Sequence, residues 1–172
     1  MRLLKIIFCI LLAVGLQGAI SRYIPYFEYL DLTLIIVTYF SLKRNPMQGT
    51  LVGSAAGLAY DAVTTGPLLG ASGFTKTLIG FTIASTNVYF AIDRKLLRLF
   101  VVVLASIANV LTFIALYWIF SSNNPLPSSS TPQEIAKLTA WQAAGNLILS
   151  FFIFPILDQV FADQPYSIGR RP

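Results

Sequence analysis

The stretch LFVVVLASIANVLTFIALYWIF, residues 99–120, decides the fold. It carries no charge from end to end, and Ser106, Asn109 and Thr112 are its polar breaks. A helix that crosses a bilayer needs roughly 20 consecutive apolar residues. The segment therefore reads as a transmembrane helix. Tyr117 and Trp118 lie near its end, where aromatic rings suit a membrane–water interface.

Working outward, further apolar segments follow the same reading. Towards the N-terminus they cover about residues 74–92, 47–63, 25–42 and 3–20; towards the C-terminus one covers about 138–161. Together with 99–120 they predict an all-α integral membrane protein, a bundle of six transmembrane helices forming a single domain over 1–172. The connections fit. Pro25 suits the first turn of a helix, where its missing N–H costs nothing. Lys43-Arg44-Asn45-Pro46 and Thr64-Thr65-Gly66-Pro67 are turn chemistry. The Ser/Pro/Asn-rich loop 121–133 ends in Thr131-Pro132-Gln133-Glu134, which has capping-box spacing. Pro155 predicts a kink in the last span. Residues 67–73 could be re-entrant or interfacial. The first span follows Arg2 and Lys5 as in a signal peptide, but it is longer than a signal core and is expected to stay uncleaved.

Composition agrees. Of 172 residues 56% are hydrophobic and 11% charged, against about a quarter charged in a soluble domain. Six spans use about 120 residues, which leaves no room for a separate water-soluble domain. The formal charge of +5 is spread in small groups rather than along a basic, aromatic-lined groove, which argues against nucleic acid. Arg2, Lys5, Lys43, Arg44, Arg94, Lys95, Arg98, Arg170 and Arg171 fall on one side of a six-span arrangement; Arg22, Lys76 and Lys137 fall on the other. That bias predicts cytoplasmic N- and C-termini.

Few chemistries remain open. There is no histidine, and Cys9 is the one cysteine, so His ligands, Ser-His or Cys-His pairs and internal disulfides are excluded. Neither HExxH, a P-loop, GxSxG nor an acidic metal cluster occurs, and no cofactor or metal is expected.

Four groups of residues stand out. Gly49, Gly53, Gly57 and Asp61 recur every fourth residue, on one helical stripe. Glycine there permits close approach of another helix, either this chain's own or a partner's. Asp61, near the outer end, could pair with Lys76, snorkel to water, or serve a ligand or proton. Glu28 and Asp31 sit where a helix starts and complement its dipole; acid/base work is the less favoured reading. Gln142, Asn146 and Ser150 form a polar stripe, and Asn109 is polar in midspan; they suit interhelical hydrogen bonds or a polar cavity lining.

At this point the central hairpin becomes specific. The run Leu30-Asp31-Leu32-Thr33-Leu34-Ile35-Ile36-Val37-Thr38-Tyr39 resembles the second span of the rod-shape-determining MreD family. Arg44-Asn45-Pro46 resembles the family's basic turn, Gly49, Gly53, Gly57 and Asp61 its third span, and Gly66-Pro67-Leu68-Leu69-Gly70 its following loop. Leu30 replaces the expected proline and Asn45 the expected glycine.

The resemblance covers Asp31 to Gly70 most closely. It implies a fold similar to the S-components of energy-coupling-factor transporters. It also implies a non-catalytic scaffold of the bacterial elongation machinery in the inner membrane. Its implied partners are membrane lipids, MreC directly, and MreB, RodA and RodA's transpeptidase partner in the same complex. On that basis Gly49, Gly53 and Gly57 are expected to form a lipid-facing groove for MreC's membrane helix. The alternative, from another class, is a small-molecule-binding transporter S-component.

Overall fold

The computed structural model describes residues 2–23, 30–43, 45–64, 69–90, 92, 94–120 and 132–161. These form six helices with no strand among the described residues: α1 (Arg2–Tyr23), α2 (Leu32–Lys43), α3 (Pro46–Val63), α4 (Ala71–Phe90), α5 (Lys95–Phe120) and α6 (Pro132–Val160). Glu28, Gly66, Pro67, most of loop 121–133 and the tail carrying Arg170 and Arg171 lie outside the described residues.

Among the described residues three helices are long and apolar enough to cross a membrane: Leu4–Tyr23, Lys95–Phe120 and Gln133–Val160. The other three differ from them. α2 has 12 residues, about 18 Å at 1.5 Å per residue, and begins seven positions later than the expected 25. α3 and α4, with 18 and 20 residues, have the length, but glycines and hydroxyl residues dilute their apolar content. Local chemistry explains the sharpest starts. Pro46 opens α3 behind Asn45, whose extended backbone makes it the N-cap. Gly70 holds a φ of 90° just before α4, a left-handed conformation that glycine adopts without a Cβ clash.

The short helix is the axis of the molecule. Every residue from Leu32 to Leu42 is buried, and α2 packs against each of the other five helices. Those five surround it in the order α1, α3, α4, α5, α6. Each packs on the next, but α1 and α6 have no close backbone contact among the described residues, so the ring is open between them. Two apolar clusters flank the axis. One joins Ile10, Val14, Ile35, Tyr39, Phe40, Phe154 and Phe161, with ring centroids 5.1–5.5 Å apart. The other joins Leu34 and Leu42 to Ile79, Ile83 and Ala105.

The tightest seam is α3 against α4. A Cβ at Gly49 would stand 2.7 Å from the Gly80 carbonyl oxygen. At Gly53 it would overlap the Lys76 carbonyl, and at Gly57 the Ser72 carbonyl. The glycine stripe is therefore occupied by this chain's own α4. The expectation of a lipid-facing groove for a partner helix is corrected: backbone already fills that face, and no second helix can approach it.

Candidate functional site

Just below the start of α2 an acid, a lysine and two amides meet in the interior. Asp31 precedes the first turn of α2 and caps it. Its Oδ1 accepts from the Leu34 amide at 2.9 Å and from Thr33 Oγ1 at 2.6 Å. Capping carboxylates satisfy amides that have no partner within the helix and lie at the positive end of its dipole. The other oxygen, Oδ2, lies 2.9 Å from Lys76 Nζ on α4. Lys76 and Asp31 are 1% and 5% exposed. An isolated charge so placed is prohibitively costly, which is why the lysine and the carboxylate are set against each other. The ammonium also lies 4.3 Å from the centroid of the Tyr60 ring on α3, a cation–π distance.

Neutral side chains complete the arrangement. Asn146 on α6 accepts from the Asp31 amide at 3.0 Å and donates to Ser106 Oγ on α5 at 2.9 Å. Ser106 in turn donates to the Val102 carbonyl. Gln17 on α1 donates to the Leu30 carbonyl at 2.6 Å and accepts from the Leu32 amide at 3.0 Å. Gln17, Asp31, Tyr60, Lys76, Ser106 and Asn146 come one from each helix or its cap, so all six elements meet at this hub. With α2 starting inside the bundle, its first amides need such partners, because backbone groups away from water must be satisfied.

The expected pairing of Asp61 with Lys76 is corrected. Lys76 turns inward to Asp31. Asp61 Oδ2 instead accepts from the Gly73 amide at 2.9 Å, within the first turn of α4. That is a helix-terminus contact, favourable to a carboxylate, and it leaves Asp61 half-buried. Lys76 gains more from a desolvated partner that has already lost its water than from one at the rim.

Of the proposed polar stripe, Asn146 belongs to the hub, whereas Gln142 and Asn109 are half-buried and outside it. Pro46 and Gly70 serve helix starts. Several residues went unremarked in the sequence. Gln17 is the clearest, since beyond Lys5 it is the strongly polar residue inside the first apolar run. A second polar cluster sits at the opposite end of α2. Lys43 Nζ lies 2.5 Å from Asp158 Oδ1 and donates to Tyr39 Oη, and Arg98 lies 3.5 Å from Asp158 Oδ2. Nearby, Asn87 on α4 donates to the Leu42 carbonyl at 2.6 Å and accepts from the Ile92 amide, closing the C-terminal end of α2.

Chemically the hub is a closed structure. Every hydrogen-bonding atom described above is directed at another residue of the chain. Among the described residues no group of three metal-ligating side chains occurs. A protein-family model described as rod shape-determining protein MreD matches residues 2–161. No curated protein and no solved structure matches the chain.

Proposed function

This chain belongs to the rod shape-determining protein MreD family, and from that premise we propose that it is a non-catalytic scaffold subunit of the wall-elongation machinery. In this reading it crosses the bacterial inner membrane six times with both termini in the cytoplasm. It binds MreC directly and helps assemble MreB, RodA and RodA's transpeptidase partner for peptidoglycan synthesis.

One observation carries the reading: the polar chemistry of the Asp31–Lys76 hub points inward and is consumed in joining six helices. An enzyme would present a nucleophile or base to a substrate; here the strongest charges neutralise each other at depth. The result is a fixed shape whose outer faces on α1, α5 and α6 are apolar. Those faces support binding to lipid and to partner helices. With the α3 glycines already occupied, MreC is assigned to these outer faces.

The test is retention of MreC by the tagged protein after detergent extraction, with cell shape followed on depletion. The expected result is stoichiometric MreC and rounding of rod cells. A chain that inserts normally, retains no MreC and binds a vitamin-sized ligand tightly would overturn the scaffold reading in favour of a transporter subunit. Reporter fusions at Lys43, Lys95 and the C-terminus test the orientation, and a periplasmic C-terminus would refute it.

A further inference from the structure

The end of the bundle opposite the hub carries an unbalanced charge. Lys43 and Arg98, with side chains 14% and 13% exposed, share the single carboxylate of Asp158. Arg94 and Lys95, both exposed, stand one turn before Arg98. Among the described residues at this end, the four cations Lys43, Arg94, Lys95 and Arg98 stand with one carboxylate, Asp158. The first turn of α5 has no acidic residue, so its cations sit at the positive end of a helix dipole, where an anion is favoured.

An apolar track leads away from this charge. Arg94, Leu97, Val101, Leu104, Ala108 and Leu111 are spaced three and four residues apart, so they share one face. Leu97, Leu104 and Leu111 are 40%, 49% and 57% exposed. Val101 and Ala108 pack on the cluster that joins α5 to α4. Cationic groups above an exposed apolar strip match one ligand chemistry, a phosphate monoanion carrying acyl chains.

We propose that the α5 start, through Arg94, Lys95 and Arg98, binds the phosphate of an anionic phospholipid whose acyl chain lies along Leu97, Leu104 and Leu111. Arg98 is pre-positioned by Asp158; Arg94 and Lys95 supply charge that nothing in the described bundle neutralises. Basic groups between helices at the inner membrane surface are a recurrent way of holding anionic headgroups.

The test titrates the purified full chain in detergent with phosphatidylglycerol, phosphatidylcholine or inorganic phosphate and reads thermal stability. Phosphatidylglycerol should stabilise saturably, and the other two should not. The double change Arg94→Gln with Lys95→Gln removes two exposed charges and leaves the Lys43–Asp158–Arg98 contacts in place. It should weaken the phosphatidylglycerol midpoint about 30-fold. The control Lys5→Gln with Arg22→Gln, equal in charge and confined to α1, should leave the midpoint unchanged. An unaltered midpoint in the α5 variant overturns the site. Equal weakening by the α1 control overturns it too, by showing bulk attraction. Equal stabilisation by inorganic phosphate makes it a bare anion site and overturns the lipid assignment. Micelles impose no sidedness, so the outcome is independent of the proposed orientation, and MreC retention by the α5 variant tests the scaffold reading separately.

Discussion

Helices α2 and α5 are the most apolar of the six described helices, yet they occupy opposite environments. All residues of α2 from Leu32 to Leu42 are buried. Among the 26 residues of α5 the buried ones are Val102, Ala105, Ser106 and Tyr117. In water, apolar character separates inside from outside. In lipid it does not, because the solvent is as apolar as leucine. What separates the two helices is polar and small content. α2 carries Thr33, Thr38, Tyr39 and Ser41 behind the Asp31 cap, and two of the four buried residues on α5 are Ser106 and Tyr117. Polar side chains mark the interior of this protein as apolar ones would mark the interior of a soluble one.

The most damaging test of that contrast removes charge from the centre. Lys76→Met leaves Asp31 buried without a counter-ion and should cost about 3–5 kcal/mol, seen as lost accumulation and early unfolding in detergent. Asp31→Asn combined with Lys76→Met should recover much of this, since no bare charge remains. Exchanging Asp61 and Lys76 should recover nothing. A Lys76→Met protein as stable as the parent would show that the hub is wet.

The glycine seam offers the next largest effect. Gly53→Ala drives a methyl into the Lys76 carbonyl and should cost about 1–3 kcal/mol. Gly15 on α1 is the matched control: nothing lies within 4 Å of a Cβ there. Gly15→Ala should be neutral or gain up to about 1 kcal/mol from helix propensity. Equal effects at both positions would mean that α3 and α4 do not touch as described. Asn146→Leu should cost about 1 kcal/mol, typical of an interhelical hydrogen bond in a membrane protein, read as a lower unfolding temperature. Smallest of all, Leu104→Ala on the exposed face of α5 should stay within about 0.5 kcal/mol, because lipid replaces the lost contacts. A cost of 2 kcal/mol there would reveal a buried surface and break the comparison.

Much of the helical order was legible in the sequence. The apolar runs and the turn at Pro46 lie within a few residues of α3, α4 and α5; the role of Gly70 at the start of α4 came only with the structure. The start of α2 was not legible, because an apolar run from Pro25 onward says nothing about where a helix begins; Asp31 decides it by capping. The site was half legible. Asp31, Asn146 and Lys76 stood out as polar groups in apolar surroundings. Their partnership did not, since Asp61 is far nearer to Lys76 in sequence than Asp31 is. Choosing between two carboxylates needs their relative burial, a property of the assembled bundle. The same holds for the glycines: spacing shows that a backbone approaches, not whose backbone it is.

The Asp31–Lys76 pair has a consequence for biogenesis. Its halves lie at the cap of α2 and on α4, two of the three helices that are not by themselves long and apolar enough to cross. In the proposed six-span arrangement, neither charged segment has reason to leave the translocation channel for lipid alone. Asp31 emerges first and must wait through α3 until Lys76 is synthesised, when the glycine seam and the ion pair can close together. The chain would thus enter the membrane in blocks, α1 alone, then α2 to α4 as one prefolded wedge, then α5 and α6, with membrane insertion and tertiary folding a single event in the middle of the protein.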